Sequence, residues 1–315
     1  MTSSESPFRC EVCVVGFIYF ELHVPALAAL PPPGEERFVG QMPVTLGGAL
    51  NTASVARRLG MTVSLMHPGG EGLTDVAIQQ ALQEAEVTSV RFAARSDPAL
   101  SLVVSTEKDR ALLSAADFAA LAACPALPSA RWVHVPGLRE ARLLAPRLQE
   151  ARAAGARIAV SGSFALEELA ALASASPGRA PEWDLLVLNE REAQVVAGSV
   201  DAALERLSGV ARDVVVTAGA RGARGWLGGQ PVHVDAAPLA ISKEAVEPTG
   251  AGDAFCAGLL AALSREWPPD AALSFAARVA ARILGIRGGA VLGPGLLDDL
   301  SADLTRPAGS SGGAA

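Results

Sequence analysis

Short apolar runs alternate along the chain with longer stretches in which apolar residues recur every three or four positions. VCVVGFI (12–18) is followed by ALNTASVARRLG (49–60), then TVSLMH (62–67) and DVAIQQALQEAEV (75–87), and WVHVPG (132–137), RIAVSG (157–162) and DLLVLN (184–189) continue the series. The first kind of run suits buried strands and the second amphipathic helices. Parallel strands need long crossover connections, so this order predicts an α/β fold with a mostly parallel sheet covered by helices. Reactive groups are then expected at the carboxyl ends of the strands.

Two stretches break the rhythm. ALPPPGEERFVGQMPVT (29–45) is a stiff proline run followed by short extended material, and PALSLVVSTEKDRALLS (98–114) alternates like a strand with a hairpin partner. Together they predict a small β-sheet lid from about 17–45 and 98–114, although periodicity alone fits two surface hairpins equally well. The rest reads as one domain over 9–303, with 1–8 and 304–315 as disordered ends.

A formal net charge of -7 argues against a broad nucleic-acid or anionic-membrane surface. The N-terminus lacks a basic start followed by an apolar run, and no segment offers about 18 uninterrupted apolar residues, so a cytoplasmic protein is expected. Cys10 and Cys13 form a C-x-x-C inside a strand-like run, where positions i and i+3 face opposite sides. With no second pair to complete a zinc site, they read as ordinary thiols, as do Cys124 and Cys256. The four histidines are scattered without metal-ligand spacing.

Several phosphate-handling and hydrolase patterns are excluded. The lysines, Lys108 and Lys243, do not follow a glycine and sit in no V-A-I-K strand, which removes the P-loop and the protein kinases. A G-x-S-x-G match at 309–313 lies in a low-complexity tail with no strand before it, and Ser105 with Lys108 lacks a companion K-T-G.

Thr249-Gly250-Ala251-Gly252-Asp253 carries more. Glycines here precede the pattern DAFCAGLLAAL, which places Phe255, Leu259 and Leu263 on one helical face, so a helix is predicted to begin near Gly250. Amides without intrahelical partners and the helix dipole would attract an anion there. Spacing alone leaves two readings of Asp253: a base beside an anion hole for phosphoryl transfer, or a side chain complementing the dipole. Asn189-x-x-Glu192 after DLLVL likewise reads as a capping box. The turn Thr217-Ala-Gly219-Ala-Arg-Gly222 reads as a tight turn into the next strand.

EPTGAGDAFCAGLL (247–260) resembles the C-terminal signature of the ribokinase family, the PfkB-type carbohydrate kinases. LGGALNTASVARRLG (46–60) is similar to the family's sugar-binding signature, DLLVLNEREA (184–193) to its N-x-x-E segment, and VVVTAGARGARG (214–225) to its nucleotide strand and turn. The resemblance covers roughly 10–295 and implies a ribokinase-like three-layer α/β/α domain with a small β-sheet lid. It implies an ATP-dependent phosphotransferase acting on a hydroxyl of a small sugar or sugar derivative. Asp253 would be the base, and Gly250, Ala251 and Gly252 the anion hole. Asn189, Glu192, Thr217, Gly219, Gly222 and Thr249 would line the nucleotide site, with Glu192 holding Mg²⁺ through water. Glu21, which stands where the family has an Asp, joins Gly47, Gly48 and Asn51 as substrate residues. A monovalent cation and a homodimer through the lid stay open.

Departures concentrate on the sugar side: Glu21, Leu46 in place of a glycine, PGGEG (68–72) and SGSFAL (161–166). Glu247 and Pro248 replace the commoner Asp-Thr on the nucleotide side. Alternatives are a nucleoside kinase of the same family or a catalytically silent sugar-binding regulatory protein.

Overall fold

The alternation read from the strands becomes two separate cores. The computed structural model describes residues 9–305 except 28, 30, 71, 94–96, 106–109, 175–181, 240–247, 287–291 and 294. Of the expected disordered ends 1–8 and 304–315, residues 1–8 and 306–315 lie outside the described residues, as do Lys108, Lys243 and Glu247.

With elements numbered in chain order, β1 (Cys10–Val15) is the third strand from one edge of the nine-stranded main sheet. On one side follow β4 (Val63–Pro68) and β5 (Thr88–Phe92). On the other follow β8 (Ala130–Val135), β9 (Arg157–Ser161), β10 (Trp183–Asn189), β11 (Ala211–Thr217), β12 (Ala223–Leu227) and β13 (Gln230–Val234). All pairings from β5 to β11 are parallel, and β12 and β13 close the edge antiparallel. The order reverses at β1, the kind of switch point outside which α/β sheets bind ligands.

Side chains alternate faces along each strand. Val12 and Val14 of β1 and Leu185 and Val187 of β10 enter one core, with α1 (Ala49–Arg58), α2 (Leu73–Glu84), α8 (Ala251–Ser264), α9 (Pro269–Ile283) and α10 (Asp298–Thr305). Cys13, Val15, Leu186 and Leu188 enter the other, with α3 (Leu138–Leu143), α4 (Ala145–Ala153), α5 (Leu166–Ala173), α6 (Glu190–Ala197) and α7 (Val200–Leu207). The result is helix, sheet, helix. Ten residues of α8 are buried, and Gly258 lets Ala276 and Val279 of α9 approach closely. Leu304 is buried, so the packed domain runs past 303 to the end of α10.

The four thiols are free and buried. Cys10 and Cys13 share one core, contrary to strict alternation. At the start of β1 two successive amides, Arg9 and Cys10, donate to the same Ser129 carbonyl, and this bulge-like pairing interrupts the period of two.

A second sheet stands apart, in the order β3 (Val44–Gly48), β2 (Ile18–Val24), β6 (Leu100–Ser105), β7 (Arg110–Ala115). The 98–114 alternation is therefore the β6–β7 hairpin. In the 29–45 stretch, residues 31–43 carry no strand, as befits prolines that cannot donate to a ladder. The partner of β2 comes instead from 44–48, which puts Gly47 and Gly48 in the lid sheet itself.

Candidate active site

The chain leaves β1 at Gly16 and enters the lid through β2, which carries Glu21 and His23 on one face. Thr45 lies opposite Glu21 on β3. Its hydroxyl donates to Glu21 Oε2 at 3.2 Å and meets His23 Nε2 at 2.8 Å. A threonine has one proton to give, so His23 donates from Nε2. Burial pushes the Glu21 carboxyl above its ordinary value, opposed by the Thr45 hydrogen bond, raised by Asp253 and lowered by Arg110.

Glycines shape this corner. A Cβ at Gly47 would fall on the Glu21 carboxylate. Gly48 has φ of 69°, and a Cβ there would lie 2.5 Å from the Phe17 carbonyl. The chain can pass from β3 into α1 only with glycine at that point. Its first turns bring Asn51, almost fully buried, to Asp253: Asn51 Nδ2 donates to Asp253 Oδ2 at 2.8 Å.

Asp253 sits in the first turn of α8, as the glycine-rich pattern predicts. Gly250 caps the helix in the left-handed region at φ 81°, with no side-chain cap, and a Cβ at Gly252 would meet open space. The amide end is thus accessible to an anion. Asp253 is raised from 3.8 to about 6, chiefly by burial, against the opposing effects of the Asn51 hydrogen bond and the Arg110 charge. Thr249 Oγ1 and Asn51 Oδ1 are buried without a hydrogen-bond partner among the described residues.

Asn189 and Thr217 lie opposite each other at the carboxyl ends of β10 and β11, and Glu192 follows in the first turn of α6. Asn189 caps α6 in a capping box: its side chain accepts from the Glu192 amide at 2.9 Å, and Glu192 Oε2 accepts from the Asn189 amide at 2.8 Å. Glu192 Oε1 accepts from the Phe164 amide at 2.9 Å, so the carboxylate ties the end of β10 to the loop after β9. Burial raises its pKa against these bonds. A Cβ at Gly162 would collide with that carboxylate. Gly219 and Gly222 both have positive φ in the turn after β11, and Gly222 packs against the Val234 carbonyl. Cys256, one turn along α8 and buried, links the two halves: burial raises its thiol most, followed by Asp253, and Ser161 and Glu192 also act on it.

The structure therefore gathers Glu21, Gly47, Gly48, Asn51 and Asp253 in one group and Asn189, Glu192 and Thr217 in another, both around the carboxyl ends of the main sheet. Sequence reading missed Arg110, Gly162, Thr45 and His23. The alternation of 98–114 marked the hairpin that carries Arg110, and SGSFAL (161–166) stood out around Gly162, but neither pattern signalled the contacts these residues make, and nothing marked Thr45 or His23.

The model of the pfkB family of carbohydrate kinases matches residues 11–291. The chain belongs to this family, whose chemistry is ATP-dependent phosphoryl transfer to an alcohol. A fructokinase from Klebsiella pneumoniae is 40% identical over 95 residues, 28% of this chain and 28% of the enzyme, so the match spans well under two thirds of that relative. The fold is that of Arabidopsis thaliana ribokinase complexed with ribose and ATP, with a TM-score of 0.71 at 18% identity, covering 93% of this chain and 98% of that one. Adenosine kinase from Sinorhizobium meliloti superposes as well, with a TM-score of 0.72 at 18% identity over 94% and 98% of the two chains. No helix among the described residues is long and apolar enough to cross a membrane.

Two tests follow from the geometry. Gly47→Ala is expected to displace the buried Glu21 carboxylate, lowering the melting temperature modestly while KM for the acceptor rises about tenfold or more and kcat changes less; an unchanged KM would separate Glu21 from substrate binding. Asp253→Asn is expected to stabilise the protein. The folded carboxyl keeps its proton up to about pH 6 whereas its ordinary value is 3.8, so wild type loses stability between these values and carries the whole cost above them. Urea melts should show the variant gaining about 1–3 kcal/mol at pH 7.5 and little at pH 4, and the reverse trend would contradict the burial of this charge.

Proposed function

We propose that this chain is an ATP-dependent kinase that phosphorylates a hydroxyl of a small sugar or sugar derivative. The Asn51–Asp253 pair at the open amino end of α8 carries the reading. Asn51 occupies one carboxylate oxygen and leaves the other for the acceptor hydroxyl. A base near pKa 6 is ionised at neutral pH yet basic enough to take a proton as the oxygen attacks. The amides around Gly250–Gly252 stabilise charge on the transferring phosphoryl group, so the proton acceptor and the anion site serve the two ends of one in-line displacement.

Glu21 and Asn51 bind acceptor hydroxyls, and the unpartnered Asn51 Oδ1 suits a hydroxyl donor. Thr217, Gly219, Gly222, Thr249 and Asn189 line the nucleotide side. Among the described residues no three His, Cys, Asp or Glu side chains converge on a metal site, and both Glu192 oxygens accept backbone amides. This donor set fits a Mg²⁺ ion that arrives on the nucleotide phosphates and meets Glu192 through water. Bound there, the ion would neutralise phosphate charge. A carboxylate held by Asn51 in the first turn of α8, beside an amide end without a side-chain cap, argues against a silent binding protein, which has no use for a base.

The lid's outer face supports pairing of two copies. Val44, Leu22, Leu102 and Leu113 stand in register across the four strands, and Leu113 is 71% exposed. Sedimentation should give a dimer that Leu102→Lys with Leu113→Lys converts to monomer; a monomeric wild type would dismiss the pairing.

The activity is tested by ATP consumption with Mg²⁺ across ribose, hexoses, sugar acids and nucleosides. Selective turnover that falls about 100- to 10,000-fold in Asp253→Asn is expected, with wild-type kcat/KM declining below about pH 6 as the base is protonated. Equal turnover in the variant would remove Asp253 from the base role.

A further inference from the structure

Glu21 on the lid and Asp253 on α8 place two carboxylates at the acceptor side, and the Arg110 charge acts on both. Arg110 opens β7, paired with Ser105. Alternation puts it on the same face as Ser114, whose hydroxyl lies 2.9 Å from that of Ser101, and Ser101 is opposite Glu21. The guanidinium therefore stands on the lid face that carries Glu21, partly buried. It nevertheless closes no ion pair with either carboxylate, and its Nη1 is buried without a hydrogen-bond partner among the described residues.

Hydroxyl recognition gives this arrangement no explanation. A neutral polyol is held by carboxylates and amides, which Glu21 and Asn51 supply. An arginine serving only to neutralise Glu21 would bridge to it. A half-buried guanidinium with a buried, unpartnered N–H is a planar set of donors matched to a carboxylate or phosphate, and leaving such a donor unpaired is unfavourable.

We propose that the acceptor is a polyhydroxylated molecule bearing an oxyanion, carboxylate or phosphate, which Arg110 binds from the lid while a hydroxyl is presented to Asp253. This assignment rests on the kinase reading above and narrows its substrate class. Arg110 acts as a specificity residue: it couples acceptor charge to the position of the lid, and the hydroxyl end of the molecule is left to Glu21 and Asn51.

The experiment compares kcat/KM for ribose, fructose and adenosine with that for gluconate, 2-keto-3-deoxygluconate and fructose 6-phosphate, in wild type, Arg110→Gln and Arg110→Lys. The expected result is at least a tenfold preference for an anionic acceptor, with the carboxylate and phosphate arms showing which oxyanion is used. In Arg110→Gln the ratio of anionic to neutral kcat/KM should fall roughly 10- to 100-fold, mainly through KM, and Arg110→Lys should restore part of it. A neutral sugar or nucleoside as best acceptor would overturn the proposal and leave the kinase standing. So would an equal loss of kcat on every acceptor, which would make Arg110 a phosphoryl-group contact instead. If nothing is phosphorylated, the kinase reading fails by itself, and calorimetry with the same anions still decides: binding lost in Arg110→Gln supports the anion site, and no binding to wild type overturns it.

Discussion

A carboxylate partly withdrawn from water needs a donor, and Asn51 supplies one to Asp253. The two side chains come from α1, which follows the lid strand β3, and from α8 near the other end of the chain. Their meeting requires the glycine passage at 47–48, the dense packing of α8 against α9 and the shared core that both helices enter. The same bond restrains how far burial raises the acid. Fold and chemistry are thus tied at one contact: a shift of either helix would change the proton affinity of the group that each helps to place.

Much of this was legible in the sequence because the period of the apolar pattern is local information. The strand and helix alternation, the start of α8 after Gly250 and the capping box at Asn189 and Glu192 each depend on neighbours a few residues apart. The Asn51–Asp253 contact was reachable only through the family resemblance of the segments that carry it. Arg110, Gly162 and the Thr45–His23 link were not legible, because they depend on register between strands and on the path of a side chain arriving from another element. Cys10 shows the limit of periodicity itself, since two amides sharing one carbonyl displace the alternation.

The proline-rich stretch illustrates a related distinction. Composition marks 31–43 as extended and stiff, but the prolines at 31–33 and 43 cannot donate to a ladder, and the lid sheet uses the strand that ends in the glycine pair instead. Residues selected for close approach therefore also serve as sheet residues. One short segment sets the lid edge, the turn into α1 and the space beside Glu21.

Among the described residues three glycines share a geometry in which an acid occupies the place of the missing methyl: Gly47 with Glu21, Gly162 with Glu192 and, within one helical turn, Gly137 with Glu140. Each pair behaves as one unit of volume divided between two positions, so the order in which the two can change is constrained. Shortening the acid first opens a void that a larger neighbour can fill, whereas enlarging the glycine first displaces the carboxylate from its place. The two members of each pair are therefore free to change in one order and strained in the other.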